Sequence, residues 1–537
     1  MTSSQETEDG RPSHYEIDSR SSLLLFFVVV ALFIAARIWR LTDSCLWFDE
    51  IFSIHAARYD WKQMLQFVAA DLIHPPLFYA LLKIWIAIGG ESLLWLRLLS
   101  VLLSVAAIVP IVLLCRALKL NSWQTSLALA LLAVNGYLIK YAQEVRMYSL
   151  LFLLTCISLW LFVRFAASAS RVSRVLPALT LVNLLLVYSH YYGWVVVVVE
   201  LFLMLLWRRE RVAKFALTIL ALGLSYLPWL YFITISREPG RGLSQNIGWV
   251  TRPGLGELAQ FFSLLNTPFF FRQSSAGSLY DIWSVCLSLI VFGVPLAILI
   301  WRKLKVERNE GPETLTLLGL VVLPLVLVFI LSWVLPHSVW GTRHLIVTAA
   351  PYAILAALAL TSLPRAWLRT ACLALLGCWV VLNGLVTIWK RPPNFTWCTW
   401  EPLAQQVMTV DTNNPETVQV YAFEDLVAYH LWFAFTNAKR EGATGQFNVH
   451  VVKGVPGLQE DPAYFLPRRF YEIETHDGAT LRGDYVWLAF RDTQWDPTRP
   501  PLSFIGPQGY ERGRVFELRA QGQKSFLVEL RRKGQTR

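Results

Sequence analysis

"SSLLLFFVVVALFIAARIWRLTDSCLWFDE", residues 21–50, runs from an apolar stretch, 21–39, to two adjacent carboxylates, Asp49 and Glu50. About 20 predominantly apolar residues are enough to cross a bilayer. The preceding residues 1–20 are polar and mixed in charge. They lack the basic start of a cleaved signal, so the first run reads as a retained span. Carboxylates where such a span meets water are costly unless each has a partner or a task. Whether the pattern recurs decides the fold.

It recurs down most of the chain. Of 537 residues, 55% are hydrophobic and 16% charged, with mean hydropathy +0.46. Soluble domains carry about 25% charged residues. Runs at 21–39, 93–115, 124–139, 147–163, 175–188, 192–207, 215–235, 284–301, 314–335, 344–362 and 370–389 predict eleven spans. The run at 124–139 is short, and 175–207 is divided at "YSHYYG", where polar and aromatic residues and a glycine interrupt it. With the N-terminus cytoplasmic, the inner loops hold fifteen Lys and Arg, among them Arg116, Arg164, Arg208, Arg302 and Arg365. The short outer loops hold only Lys140, Arg146 and Arg343. That is strong positive-inside asymmetry. The net charge of +11 therefore belongs first to membrane sidedness, and no nucleic-acid partner is implied. Seven cysteines form no CxxC pair, and five lie inside apolar runs, which argues against a zinc or redox centre. Cys45 and Cys398 lie outside the spans, and sequence leaves a disulfide between them open.

Three outer segments are longer than connectors. Residues 40–92 contain the carboxylate pair and "PPLFYALLKIWIAIGG", which reads as a helix lying along the interface. Residues 236–283 carry a Gly-rich loop and the aromatic ridge "NTPFFFRQ". The tail, 391–537, turns polar, with β-like runs "TVQVYAF", "FNVHVV", "DYVWLAF" and "KSFLVEL" around a helical "EDLVAYHLWFAF". It predicts a small α/β domain outside the membrane. The expected organisation is a cytoplasmic tail at 1–20, a membrane domain at 21–390 and an extracytoplasmic domain at 391–537.

Chemistry-bearing residues gather on that outer side. On a helix, neighbours point about 100° apart, so one of Asp49 and Glu50 can face a cavity while the other caps, pairs or binds a metal. The plainer reading is an acidic pair favouring a helix dipole. In "HPPLFY" (74–79), the prolines hold His74 at a loop tip, where it is either a surface residue of a turn or a donor to an anionic oxygen. In "YAQEVRMYSL" (141–150), Arg146 can grip two phosphate oxygens, flanked by Tyr141, Gln143, Glu144 and Tyr148. A Glu144–Arg146 pair is disfavoured, because i and i+2 side chains diverge on a helix. "PHSVWGTRHLIVTAAP" (336–351) adds Arg343 and His344, which are either headgroup anchors or site residues, and "YSHYYG" adds His190. A carboxylate base with cations to stabilise a leaving phosphate suits group transfer from a lipid-bound phosphate. The alternatives are a flippase or exporter of lipid-linked sugars, which would place ionisable groups in broken mid-membrane helices, and a scaffold.

The order "DE" after the first span, "HPPLFYALL", "YAQEVRMYSLL" and "RHLIVTAAPYAILAALAL" resembles the glycosyltransferase family 39 group of the GT-C superfamily. Relatives there include protein O-mannosyltransferases and lipid A aminoarabinose transferases. The resemblance covers about residues 20–390. It implies a GT-C-like membrane fold in the bacterial inner membrane and inverting transfer of a sugar from a polyprenyl-phosphate donor. The acceptor would be a lipid, a glycan or a protein. It also implies Asp49 as catalytic base and Glu50 as its supporting carboxylate. Arg146 and Arg343, with His74 or Lys83, would bind the donor phosphate, and Tyr141, Gln143, Tyr148, His190 and His344 would line the pocket. A divalent cation is an option rather than a requirement, and no metal ligands are assigned. The chain departs from the aminoarabinose transferases in having Ile73-His74 where they have Glu-Lys. It also has Arg343-His344 where the family usually has Arg-Tyr, and it lacks a "WWDYG"-like motif. Trp249 and Phe269–Phe271 are candidates for stacking on sugar or lipid.

Overall fold

The computed structural model describes residues 19–167, 175–237, 243–271, 282–305, 312–390, 394–411, 417–458, 465–477, 481–504 and 509–534. The expected tail before residue 19 and the inner-loop Arg171, Arg174 and Arg308 lie outside them. Among the described residues, eight helices are long and apolar enough to cross a membrane: Arg20–Ile38, Leu93–Ala117, Tyr148–Ala167, Arg209–Ser236, Ile282–Lys305, Thr314–Val334, Thr342–Thr361 and Ala366–Trp389. Three further expected spans are helical but shorter, at Ser122–Val134, Val175–Ser189 and Tyr192–Trp207. The first stops at Asn135, whose side chain caps a new helix, Gly136–Ala142, by accepting the Leu138 N–H at 2.9 Å. The other two meet at the predicted "YSHYYG" break. Outward-facing Leu217, Leu220, Leu224 and Leu227 stay exposed, as a lipid-facing stripe requires. The chain is a polytopic membrane protein with a C-terminal α/β domain.

Helix α1 (Ser19–Ile38) leads into three shorter helices: α2 (Phe48–Arg58), α3 (Trp61–Asp71) and α4 (Leu77–Gly89). At the end of α1, Arg37 is fully buried, bonded to Ser104 and to the carbonyls of Phe33, Leu132 and Ala133. A cation is tolerated there because it satisfies carbonyls at helix ends that otherwise lack donors.

The tail domain is a six-stranded sheet, ordered β3-β2-β1-β4-β6-β5. Its strands are β1 (Val418–Ala422), β2 (Phe447–Lys453), β3 (Glu474–Asp477), β4 (Tyr485–Asp492), β5 (Tyr510–Ala520) and β6 (Gln523–Arg532). Strands β1 to β4 are parallel neighbours, and β6 and β5 add an antiparallel edge. Helix Asp425–Arg440 crosses between β1 and β2 and docks on α2: Tyr429 packs on Phe48 at 5.0 Å, and its hydroxyl bonds His55 Nδ1 at 2.8 Å. Arg58 and Arg440 both reach Glu91, and a Cys45–Cys398 disulfide ties the loop before α2 to the start of the domain. The roof over the membrane domain is therefore covalently and electrostatically pinned.

Candidate active site

Asp49 sits in the first turn of α2, where the acidic pair separates as helix geometry demands. The Glu50 carboxylate turns inward. It accepts the Trp47 N–H at 2.9 Å, which caps the helix, and the Val145 N–H at 3.0 Å. Arg97 holds it in a bidentate grip at 3.2 and 3.1 Å, and Glu50 is 1% exposed. With both oxygens committed, Glu50 fastens α2 to span Leu93–Ala117 and to the loop carrying Arg146. Expected as a supporting carboxylate, it holds the position of α2 and turns its oxygens away from the Asp49 carboxylate.

The Asp49 carboxylate faces the other way, 3.2 Å from Arg343 Nη1 and 3.9 Å from Arg146 Nη2. Its side chain keeps 26% of its exposure, so it lies at a mouth rather than in a sealed core. Burial opposes its ionisation. The Arg146 and Arg343 guanidiniums outweigh that and hold the carboxyl below its ordinary range. Arg146 is buried and bonds the Asp49 carbonyl (3.1 Å) and Ser53 Oγ (3.2 Å), with Tyr79 and His74 Nε2 at 3.5 and 3.4 Å. Its Nε has no protein partner. As sequence reasoning required, Glu144 pairs instead with Lys140, at 2.9 Å.

Three imidazoles complete the wall. Rings of His190 and His344 lie 4.4 Å apart, with His74 5.4 Å from His190 and 6.4 Å from His344. Tyr148 stands 6.1 Å from His344 and 4.8 Å from Tyr141. Burial, then the neighbouring charges, keep His74 and His190 neutral, far below the usual imidazole range. One nitrogen of each of the three rings falls within 4.8 Å of the others, a spacing that a metal could bridge. The donor set does not fit one. His190 Nδ1 accepts the Tyr192 N–H at 3.0 Å, so its buried, unpartnered Nε2 carries the proton and cannot ligate. Two guanidiniums beside it also oppose a cation. The arrangement fits an anion.

Two residues expected here are elsewhere. Lys83 gives its ammonium to the carbonyls of Ala57 (3.2 Å) and Tyr59 (2.5 Å), closing the turn between α2 and α3. Gln143 donates to the carbonyls of Arg37 and Trp39 at the end of α1. The Lys83 ammonium and the Gln143 amide nitrogen are thus engaged by backbone carbonyls. Asp71 is a site residue that sequence reasoning missed. It ends α3, 3.7 Å from His74 Nδ1, and accepts from Asn246 of the 236–283 segment at 3.2 Å. Burial pushes its carboxyl up to about 6. The signal lay three residues before His74, an acid in an otherwise apolar stretch. In the aromatic ridge, Phe271 packs on Tyr141 at 5.5 Å, while Trp249 is exposed and bonds Asn246.

No family model matches the chain, and no curated protein sequence matches it. Solved structures match at the level of fold. ArnT from Cupriavidus metallidurans bound to undecaprenyl phosphate aligns with TM-score 0.55 at 12% identity, over 95% of this chain and 98% of that one. The same protein in the apo state gives 0.54 over the same shares. The archaeal oligosaccharyltransferase AglB from Archaeoglobus fulgidus, in complex with an inhibitory peptide and a dolichol-phosphate, gives 0.50 at 15% identity, over 77% of this chain. The chain spans 63% of that oligosaccharyltransferase's length. The chain thus shares the overall fold of these two proteins.

Proposed function

We propose that the chain is an inverting membrane glycosyltransferase that moves a sugar from a polyprenyl-phosphate donor to an acceptor. The observation that carries this reading is the Asp49 carboxylate held by Arg343 and Arg146 at the mouth beneath the tail domain. Two proteins of like fold, solved with undecaprenyl phosphate and a dolichol-phosphate, support the donor class.

In the free chain the arginines neutralise Asp49 and make it a weak base. A donor phosphate competes for the same guanidiniums. As Arg343 and Arg146 turn to its oxygens, Asp49 loses its counter-charges and its basicity rises next to the anomeric carbon. The acceptor hydroxyl or amine gives its proton to Asp49 and attacks opposite the phosphate. The C–O bond to phosphate breaks with inversion, and the leaving dianion rests on Arg146, Arg343 and the His190 Nε2–H. No second carboxylate has to protonate the leaving group, because phosphate leaves unaided, unlike the alcohol in an inverting glycosidase. The carrier alternative gains nothing from the spans: mid-span Glu200 is closed in a hydrogen-bonded knot with Ser158 and Asn183.

The loop charges support a cytoplasmic N-terminus and a tail domain on the far side of the membrane, and the family resemblance implies that this is a bacterial inner membrane. A disulfide between Cys45 and Cys398 supports that compartment, since such bonds persist in oxidising surroundings.

The test is release of polyprenyl phosphate from a panel of lipid-linked sugars by the purified chain with crude envelope acceptors. Asp49→Asn should lower turnover by about 10²–10⁴-fold while leaving the melting temperature in place. Equal turnover by the folded variant removes Asp49 as base.

A further inference from the structure

A second cluster lies in the tail domain, away from Asp49. Strands β2 and β3 run parallel, and their register sets His450 opposite Glu474. His476 follows Glu474 by two residues, so the pleat turns both to one face, the face of their partner. The side chains converge. His450 Nδ1 and His476 Nε2 are 3.1 Å apart, and a Glu474 oxygen lies 3.8 Å from the first and 3.6 Å from the second. Ligands about 2.0–2.2 Å from a tetrahedral Zn²⁺ sit roughly 3.4 Å from one another. This triangle already has those edges.

A backbone N–H locks the His190 tautomer, whereas here the hydrogen bond that holds the proton lies between the two imidazoles themselves. His450 Nε2 bonds the side-chain oxygen of Gln419 on β1 at 2.6 Å. An amide oxygen only accepts, so Nε2 carries the proton and Nδ1 accepts from His476 Nε2, whose proton a metal would displace by moving it to His476 Nδ1. A ligating histidine is typically oriented in this way by a neighbour that fixes its tautomer. Tyr421 stacks on the His450 ring at 5.0 Å and holds its plane. His450 and His476 are largely covered, while Glu474 is exposed. A cleft of about 370 Å³, lined by Pro467, Arg469, Tyr471, Glu474 and His476, opens beside two of the three side chains. Two imidazoles and one carboxylate form a borderline donor set that suits Zn²⁺ better than the all-oxygen cations.

We propose that His450, Glu474 and His476 form a zinc site with an open coordination position, and that Gln419 is its positioning residue. The proposal does not rest on the transferase reading. Neither helical nor loop elements are needed to assemble it, only the β2–β3 register.

Purified full-length chain, stripped with chelator, is titrated with Co²⁺ and then with Zn²⁺. Co²⁺ in a four-coordinate site has strong visible absorption, and Zn²⁺ should displace it at one equivalent. His476→Gln and Glu474→Gln, both at the sheet edge, should abolish the signal while the far-ultraviolet spectrum and melting temperature of the metal-free protein stay unchanged. Gln419→Ala should weaken binding by about 10–100-fold. His344→Asn, in the other imidazole cluster, should leave the signal intact. The proposal is overturned if no Co²⁺ spectrum develops. It is equally overturned if the spectrum survives both edge variants or vanishes in His344→Asn, since the histidines would then be only a hydrogen-bonded pair.

Discussion

Asp49 and Glu50 are covalent neighbours whose carboxylates end in opposite electrostatic settings, and variants should separate them cleanly. Glu50→Gln breaks a buried bidentate pair and leaves Arg97 uncompensated, at a cost of about 3–5 kcal/mol. Its effect should appear in thermal unfolding and expression, with turnover per folded molecule close to wild type. Asp49→Asn should do the reverse. Because Glu50 and Arg97 act as one unit, Glu50→Gln with Arg97→Gln should cost less than the two single changes summed. Asp71 has a different signature. Its folded-state pKa is raised from the ordinary carboxylate value to about 6. The folded chain therefore holds that proton more tightly than the unfolded one. The stabilisation is complete below about pH 4 and is lost as pH rises through about 6. Above that, the ionised group costs up to about 3 kcal/mol, since each tenfold difference in proton affinity is worth about 1.4 kcal/mol. Asp71→Asn, fixed neutral, should melt higher than wild type near pH 8, and the gap should close towards pH 4. A gap of constant size across that range would place the Asp71 carboxyl in its ordinary range.

At the scale of elements, what could be read from sequence depended on how local its cause was. The spans were legible because lipid imposes composition directly, and α4 was legible as a helix separate from them because its apolar run is short. Four strands and the helix Asp425–Arg440 showed in their periodicity. Strands β5 and β3 did not: β5 is held by its pairing with β6, and "ETHD" carries no apolar alternation and is held as strand β3 by its pairing with β2. The same blindness hid the His450–Glu474–His476 cluster, whose members meet only through that pairing. At the candidate site the ordered motifs pointed to Asp49, Arg146 and Arg343, but nothing local showed that Lys83 and Gln143 would be spent on backbone carbonyls. The partner of Glu50, Arg97, lay 47 residues away inside an apolar run. Cys45 and Cys398, 353 residues apart, were left open for the same reason. Their bond sets an expectation for the element it anchors. Cys398→Ser should free the segment leading into helix Trp400–Asp411 from the loop before α2. The resulting stability loss should be about 2–4 kcal/mol, with faster hydrogen exchange in that helix and in residues 43–48. Reductant should reproduce this in wild type and change nothing in the variant.

At the scale of the whole molecule, the roof and the membrane domain form one functional surface only if Asp49, the disulfide and the tail sheet all face the oxidising side. Contacts between them are consistent with a single orientation: Arg468 donates to the Ala70 carbonyl at the end of α3, Arg58 and Arg440 share Glu91, and Trp47 packs edge-on against Trp397 at 4.6 Å. Orientation can be read by single-cysteine labelling. Arg512, on the exposed edge strand β5, and Lys119, in the loop between spans Leu93–Ala117 and Ser122–Val134, are the reporters. In intact cells stripped of their outer membrane, a membrane-impermeant maleimide should label Arg512→Cys at once. Lys119→Cys should be labelled only after the membrane is opened, because the proposed orientation puts its loop on the cytoplasmic side. The reverse pattern would put the disulfide in a reducing compartment. It would also put Asp49 on the side opposite an extracytoplasmic acceptor, and the transferase mechanism would then need a cytoplasmic acceptor.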